Sequence, residues 1–538
     1  MDAPQEPTRG RSEKPNPPRA PLGREPLLAP SADVLVRYNA RVLDPSTAVR
    51  VPGQPPIRPT IYVGDRLIVS GTASDSTKGT LQEAAKRNGL QVVVDEGSRH
   101  VRTAELAVRA GLREQPVLFS MAVRLVPVAG GPAAPPDAWP VLQTFRALVD
   151  RADAALQQVA LDHLMTSAHH TSGSPYVPGY QETAAPSGGP SAQYGMPGWG
   201  GRAPVNWLGA EPRRTLDERT RRPVVAVLDT GAGSHPWLAE HIVVRNPSVL
   251  GETIGILGPG NDPEQTGVIV DPYEGVLDSD AGHGTFIAGL IRQRCPDATI
   301  LAIRVMQSDG VVAESDLLDA LKLLVMRQHL AQAPGGDASE AIDVVSLSLG
   351  YYHEQPDDVT FDPQLLHPLR ALSQRGVAAV AAAGNDATSR PMYPAAFTPY
   401  PGGRIEEFDA GSVPLISVGA LNPDRTIALF SNAGPWVTCH APGAALVSTF
   451  PVTFNASAQS SFRVDVPGEG IRATIDPDNF HSGFGTWSGT SFAAPVLAGE
   501  IAQCLVEGRC GAIGPVDPTN ALTRAWTAIG MLLGVKRP

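Results

Sequence analysis

Charged side chains, cysteines and long apolar runs are all scarce in this sequence. Charged residues make up 18% of its 538 positions and leave a formal net charge of −11, which excludes a basic surface for nucleic acid. The most apolar stretch near the carboxyl end, AWTAIGMLLGV at 525–535, is too short to cross a bilayer. We therefore expect a globular protein of two or more domains, with no nucleic-acid or membrane partner and a terminal helix packed on its body.

Cysteine occurs at only four positions: Cys295, Cys439, Cys504 and Cys510. Their spacing matches no zinc-binding pattern. An even number permits two disulfides, with Cys504 and Cys510 near enough to close a small loop, whereas a cytoplasmic protein would keep them reduced. The first residues contain no apolar signal segment, so we expect a cytoplasmic protein, or a secreted one if the start site is misassigned.

Glycine and proline, at 54 and 52 residues, divide the chain into segments. Residues 1–30 are rich in proline and charge and are predicted to be a disordered tail. Residues 166–203 are rich in Gly, Pro and Ser without periodicity, which is typical of a linker. The sequence thus predicts a smaller N-terminal α/β domain over 31–165 and a main domain over 204–538.

The N-terminal domain has strand-like and helical patterns in alternation. Strands are predicted over 60–71, 90–96 and 116–128, with a helix over 79–89. Over 138–165, apolar residues recur at intervals of three and four and predict one long helix; they are Leu142, Phe145, Val149, Ala152, Leu156 and Val159. Such a helix would pack either on its own sheet or on another domain.

The main domain repeats short apolar, β-branched runs that are typical of buried parallel strands. Helical patterns such as those at 315–330 and 365–376 separate them. The alternation predicts an α/β fold with a doubly wound, mostly parallel sheet. Asp229, Gly350 and Asn385 lie at the ends of three of the runs, which is where active groups collect in such folds. The runs lie at 222–231, 298–306, 341–350, 376–385 and 414–421.

Three residues of complementary chemistry stand at strand ends or helix starts. Asp229 ends the run AVLDTG, His283 lies in GHGTFIAGLI, and Ser491 lies in GTSFAAPVLAG. A nucleophilic serine needs a base to take its proton and a carboxylate to orient that base. Each residue alone has a simpler interpretation as a helix cap or a packed side chain. The occurrence of all three together favours a catalytic triad.

Five ordered blocks carry a resemblance to a known family. VLDTG, HGTFIAG and GTSFAAP, together with SLSLG at 346–350 and AAAGN at 381–385, resemble the motifs of subtilisin-like serine proteases (peptidase family S8). The order Asp, His, Ser is that of subtilisin. Sedolisins share a similar serine block but use Glu as the base. The presence of His283 therefore favours a subtilisin-like protease over a sedolisin. The resemblance covers about 220–510.

The resemblance implies a role for each matching residue. Ser491 would be the nucleophile, His283 the general base, Asp229 the residue that orients His283, and Asn385 an oxyanion-hole donor. The positions that would bind the substrate backbone as an added strand are Ser348, Leu349, Gly350, Ala383 and Gly384.

The sequence departs from the family in two places. Trp237 in SHPWL stands where many relatives have a calcium-binding aspartate, so we assign no metal site and expect no required cofactor, with calcium left unassigned. An insertion at about 451–485 contains a hairpin pattern, SFRVDVPGEGIRATI. This insertion would either shape the substrate cleft or decorate the surface, and we favour decoration.

Two hypotheses for the function come from different classes. The first is a monomeric serine endopeptidase acting on protein or peptide substrates through an acyl-enzyme. The alternative is a catalytically silent, protease-like binding or scaffold protein, which would ordinarily lack a triad residue. The N-terminal domain is either a prodomain that is removed or a permanent regulatory domain, and the sequence does not separate the two.

Overall fold

A computed structural model describes residues 25–538 apart from 27, 29, 52–53, 131–133, 151–152, 168–189, 197, 257–261, 356–363 and 508–515. Most of the predicted tail, the central part of the predicted linker and Cys510 therefore lie outside the described residues. Of the described cysteines, Cys295 and Cys439 carry free thiols, and burial raises the pKa of each to about 12.

The N-terminal unit is an antiparallel sheet covered by helices. Its sheet has the order β3-β4-β2-β5, with β1 paired to β2. Helices α2 and α4 pack together, and a core that includes Leu67, Leu81, Trp139 and Phe145 lies beneath them. The elements are α1 (Ala32–Arg37), β1 (Ala40–Leu43), β2 (Thr60–Val69), α2 (Asp75–Arg87), β3 (Leu90–Val93), α3 (Arg99–Arg109), β4 (Met121–Pro127), α4 (Ala138–Leu148) and β5 (Val159–Ser167).

The prediction of a single long helix over 138–165 is wrong. Helix α4 ends at Leu148, a 3-10 helix covers Ala154–Gln158, and β5 follows directly. The first part of β5 pairs with β2, its last residues pair with β12 and β14 of the main body, and most of its residues are buried. Its many apolar residues are those of a strand that is covered on both faces. Their spacing happened to continue the helical periodicity of the preceding residues, which is why the sequence predicted one long helix.

The predicted strand at 116–128 is also shorter in the structure. Residues Pro116–Phe119 form a 3-10 helix, and only Met121–Pro127 form β4. Pro116 has no backbone N–H to contribute to a strand ladder, and its fixed φ suits the start of a helical turn.

The main body contains the remaining strands and helices. Its strands are β6 (Ala203–Pro204), β7 (Val224–Asp229), β8 (Val243–Arg245), β9 (Ser248–Val249), β10 (Glu252–Thr253), β11 (Thr299–Arg304), β12 (Val311–Ala313), β13 (Val344–Leu347), β14 (Leu349–Gly350), β15 (Ala378–Ala382), β16 (Ile416–Leu421), β17 (Cys439–Pro442), β18 (Leu446–Thr449), β19 (Arg463–Val466), β20 (Gly470–Ala473) and β21 (Phe484–Trp487). Its helices are α5 (Pro263–Thr266), α6 (His283–Arg294), α7 (Glu314–Gln332), α8 (Leu366–Ser373), α9 (Thr490–Val506) and α10 (Pro518–Leu533).

A parallel sheet of order β17-β16-β15-β13-β7-β11-β8 forms the centre of the body. Every residue of β7, β13 and β15 is buried, as expected for strands covered on both faces. Helix α9 packs across β13, β15 and β16 and against α6, while α7 packs against α8. The α/β fold predicted from alternating strands and helices is confirmed, and the terminal helix α10 packs on α9.

The two units are joined by strand pairing. Strand β5 continues the N-terminal sheet into the body, because β12 and β14 both pair with it in antiparallel register. Within the described part of the chain, no helix is long and apolar enough to cross a membrane.

The insertion at 451–485 has a projecting and a buried part. The hairpin β19–β20 is exposed on both strands, as the sequence predicts for surface decoration. Phe454 and Phe480, which flank the hairpin, are fully buried, and the Phe480 ring stacks on Phe450 at 4.2 Å. The insertion is therefore anchored in the core beside the start of α6.

Candidate active site

Three elements of the body bring the predicted triad residues to one edge of the sheet. Strand β7 lies between β11 and β13 and ends at Asp229; helix α6 begins at His283; helix α9 begins at Thr490, one residue before Ser491. All three predicted side chains are buried. His283 Nδ1 lies 2.7 Å from Asp229 Oδ1, although 54 positions separate the two residues.

The hydrogen bond between Asp229 and His283 defines the chemistry of the imidazole. A carboxylate oxygen only accepts, so Nδ1 of His283 carries the proton and Nε2 is the basic nitrogen of the neutral ring. Burial disfavours the imidazolium, but Asp229, followed by Asp280 and Glu264, outweighs it and raises the pKa of His283 above its ordinary value. Asp229 is held in turn by the Thr230 N–H at 2.8 Å.

Ser491 stands in the first turn of α9, beside the residues that follow strand β13. Its Oγ lies 3.3 Å from the carbonyl oxygen of Ser348, and the Ser348 hydroxyl donates to the Ser491 carbonyl at 2.8 Å. The ring of the next residue, Phe492, lies 5.1 Å from the His283 ring. The helix start therefore holds the serine against the residues that follow β13, while the next residue contacts the His283 ring.

The hydrogen bonds of Asn385 define which end of its side-chain amide is the oxygen and which is the nitrogen. Its Oδ1 accepts from both the backbone N–H and the hydroxyl of Thr490, each at 2.9 Å. The Thr490 N–H is only a donor, so the amide cannot be reversed. The buried Nδ2 then has no hydrogen-bond partner among the described residues. A buried unpaired donor of this kind is costly unless a ligand or a transition state uses it.

The predicted substrate-binding residues after β13 already pair with a strand. Leu349 pairs with Ser167 and Gly350 with Thr166, both in the antiparallel register of β5. On the other side of β5, residues of β12 pair with it, and the Ser167 N–H donates to the Gly310 carbonyl at 2.7 Å. The N-terminal unit thus occupies the groove between β12 and β14. Sequence reasoning missed β12 as a wall of this groove.

Ala383 and Gly384 do not join this ladder. The Ala383 N–H donates to the Val418 carbonyl, and its own carbonyl accepts from Asn432 Nδ2. The Gly384 N–H donates to Thr490 Oγ1 at 3.0 Å. Their backbone groups hold the end of β15 against α9, and a contact of theirs with substrate stays a prediction.

Glu264 is a buried acid beneath the candidate site that sequence reasoning missed. Its two carboxyl oxygens accept from the hydroxyls of Thr230, next to Asp229, and Thr285, two residues after His283. Burial raises the pKa of Glu264 to about 7. Its sequence context, NDPEQTG, is typical of a solvated loop, so no local signal pointed to it.

Trp237 takes part in an aromatic cluster. It is buried, and its ring lies edge-to-face with Trp207 at 5.3 Å and with Phe484 at 5.0 Å. The position therefore serves packing in this chain.

One group of buried side chains at the junction of the two units has metal-ligand chemistry: His163, His353 and Glu354. Both ring nitrogens of His163 are already taken, Nδ1 by Glu314 at 2.7 Å and Nε2 by Glu354 at 2.9 Å. Burial opposes the charge, but these carboxylates raise the pKa of His163 to about 9. Both ring nitrogens of His163 are thus engaged by carboxylates, and these residues form a hydrogen-bonded ion network.

Comparison with known proteins identifies the family. The subtilase family profile (Peptidase_S8) matches residues 220–508. The Serine protease AprX of Bacillus subtilis is 27% identical over 311 residues, covering 52% of this chain and 56% of that protein. The Minor extracellular protease Epr of the same organism is 28% identical over 41% of this chain and 32% of that protein. This chain therefore spans about a third to somewhat over half of these curated relatives.

The chain is also similar to a solved structure and to a further protease of Bacillus subtilis. Fervidolysin from Fervidobacterium pennivorans aligns over 86% of this chain and 61% of its own at 16% identity, with a TM-score of 0.43. The Major intracellular serine protease of Bacillus subtilis is 25% identical over 52% of this chain and 66% of that protein. Relatives named intracellular and extracellular both match, so the cytoplasmic location stays a prediction. The family profile covers more than half of the chain, and the resemblance found in the five sequence blocks is confirmed: the chain belongs to the subtilase family.

Proposed function

We propose that this chain is a serine endopeptidase that hydrolyses peptide bonds in protein or peptide substrates. The observation that carries the proposal is the 2.7 Å hydrogen bond between Asp229 and His283 at the sheet edge where α9 begins with Thr490 and Ser491. The membership of the subtilase family and the names of its relatives, which are serine proteases, support the same reaction class.

In the proposed reaction, Ser491 Oγ attacks the carbonyl carbon of the scissile peptide bond and its proton passes to His283 Nε2. The resulting imidazolium is stabilised by Asp229. The oxyanion accepts hydrogen bonds from Asn385 Nδ2 and from the Ser491 backbone N–H at the start of α9. His283 then donates its proton to the departing amine, which leaves an acyl-enzyme. Water, deprotonated by His283, releases the acid and restores Ser491.

The substrate would bind as an extended strand between β12 and β14. These strands offer backbone groups on both sides of the groove, and β5 makes the pairing that a substrate would make. Affinity would come mainly from these backbone hydrogen bonds, while side-chain pockets would set the preference for particular residues.

The N-terminal unit would then be an inhibitory prodomain rather than a permanent regulatory domain. Its strand β5 fills the groove that substrate needs, and its last described residue, Ser167, lies opposite Leu349. An intact chain would therefore block its own site until the segment after Ser167 is cut and β5 leaves. A permanent regulatory domain would instead keep β5 in the groove of the active enzyme.

The test compares the wild type with Ser491→Ala, using a peptide substrate and a fluorophosphonate that labels activated serines. We expect hydrolysis and a single covalent label on Ser491 in the wild type, and neither in the variant, with unchanged circular dichroism. Ser482→Ala, an exposed serine on the turn before β21, serves as the matched control and should retain both. A folded wild type that shows no label and no turnover after removal of the N-terminal unit would support the silent scaffold instead.

A further inference from the structure

The loop that leads into His283 directs several backbone carbonyl groups toward one buried cation. That cation is the guanidinium of Arg202, a residue 1% exposed in the last part of the predicted linker. Its Nη1 lies 2.8 to 3.2 Å from three carbonyl oxygens and its Nη2 lies 3.3 Å from a fourth. The four carbonyls belong to Leu277, Asp278, Ser279 and Ala281.

Converging carbonyl oxygens are the ligand set that proteins use for hard cations. The negative potential of this loop is increased by the carboxylates of Asp278, Asp280 and Asp478, which favour the charged form of Arg202. Burial lowers the pKa of Arg202 to about 10, so the side chain is still a cation at neutral pH. Chemically, the loop is a cation site, and a side chain of the same protein fills it.

The site is connected to His283 in two ways. Through the backbone, the carbonyl of Asp280 accepts from the His283 N–H at 3.0 Å where α6 begins. Through an aromatic ring, the Arg202 guanidinium lies 5.2 Å above Trp487, and the Trp487 ring meets the His283 ring edge-on at 5.7 Å. The cation thus contacts both the loop before the imidazole and the ring beside it.

The segment that carries Arg202 is fixed to the body independently of the N-terminal unit. The next two residues form β6, which pairs with β21, the strand that ends at Trp487. The Gly200 carbonyl accepts from the Ser488 hydroxyl at 2.7 Å. A cut in the predicted linker before this segment would leave Arg202 in its site.

We propose that Arg202 is a tethered cation that fills a cation-binding loop and thereby positions His283 for catalysis. Arg202 is a positioning residue and touches no substrate. The inference rests on the proposed protease function. According to the inference, the Arg202 side chain neutralises and orders this loop as a bound metal ion would. The position of the His283 ring then depends on the segment around residue 202.

The experiment compares Arg202→Lys with Arg202→Met, which have stems of similar length but differ in charge. Turnover of a chromogenic peptide is measured for each, with near-ultraviolet circular dichroism as the check on the fold. We expect the Met variant to fold and to lose about 10- to 100-fold in kcat with little change in KM, as for a misplaced catalytic group. The Lys variant should retain most of its kcat. Arg472→Ala, in the exposed hairpin, is the control and should match the wild type.

Chemical rescue separates the cation from general packing. Millimolar guanidinium chloride, compared with sodium chloride at the same ionic strength, should restore part of the kcat of Arg202→Ala and leave the wild type unchanged.

Equal kcat in the Lys and Met variants, no rescue of a folded Ala variant, or failure of both Lys and Met variants to fold would each overturn the inference. The last outcome would make Arg202 a stabilising residue of the whole body. If the wild type itself neither turns over substrate nor takes a fluorophosphonate, the protease proposal fails instead.

Discussion

Ser167 of the N-terminal unit pairs with Leu349 of the body, so the chain occupies its own candidate groove. The pairing is antiparallel, and Thr166 follows opposite Gly350. Strand β5 ends at Ser167, opposite Leu349, and the carbonyl of the preceding body residue, Ser348, lies 3.3 Å from Ser491 Oγ. The pairing therefore brings the end of β5 beside the residues that contact the proposed nucleophile.

We predict that the active protein cuts itself between Ala168 and His169, within the linker predicted from sequence. N-terminal sequencing and intact mass spectrometry of the purified wild type should find a fragment that begins at His169. Ser491→Ala should remain full length. An active wild-type enzyme with an unbroken chain would show that the N-terminal unit is a permanent part of the enzyme.

We predict that Asn385→Ala lowers kcat by about 10²- to 10³-fold with little change in KM, because the amide meets charge that exists only near the transition state. This range is the one known for the loss of an oxyanion-hole asparagine in subtilisin itself, and we adopt it. Steady-state kinetics on a peptide substrate measure the effect, with Asn520→Ala, exposed on α10, as control. An effect on KM alone would assign Asn385 to substrate binding.

We predict that Glu264→Gln shifts the pH–rate profile toward acid. Activity requires neutral His283, so kcat/KM falls as the pH drops through its pKa. The negative charge of Glu264 helps to raise that pKa, and glutamine removes the charge while keeping the shape. The acid limb of kcat/KM should therefore move to lower pH. An acid limb at the wild-type position would mean that Glu264 is protonated throughout or does not influence His283.

We predict that the ion network around His163 stabilises the contact between the two units in a pH-dependent way. The pKa of His163 is raised from an ordinary 6.5 to about 9, so its contribution is complete below 6.5 and is lost as the pH rises through 9. In the uncut Ser491→Ala background, His163→Gln should lower the free energy of unfolding by about 3 kcal/mol at neutral pH. The difference should shrink at alkaline pH.

Urea unfolding across this pH range measures the His163 effect, with His241→Gln at an exposed position as control. Glu314, Glu354, Arg146 and His353 surround the imidazole, and burial strongly lowers the pKa of His353, so this second ring is neutral throughout the window. A destabilisation that does not change with pH would assign His163 to packing rather than to charge.

The sequence by itself determined the central sheet and the identity of the candidate triad. Runs such as VVAVL are apolar at every position, which is typical of a strand covered on both faces. The blocks around Asp229, His283 and Ser491 are short, and each contains the small residues that let a helix begin beside a strand end. These are local properties, so they are readable without knowing what lies nearby in space.

The tertiary structure alone decided the roles of β5, Glu264 and Arg202. The residues of β5 fit a helical spacing as well as a strand, and their pairing with β2, β12 and β14 selects the strand. Glu264 and Arg202 each stand in a polar, glycine- or proline-containing stretch of sequence that predicts exposure. Both are nevertheless buried against partners 21 to 79 positions away. A charge can be buried only where hydrogen bonds from such distant partners offset its loss of hydration. The local sequence pattern does not show which distant residues will be partners, so it could not predict this burial.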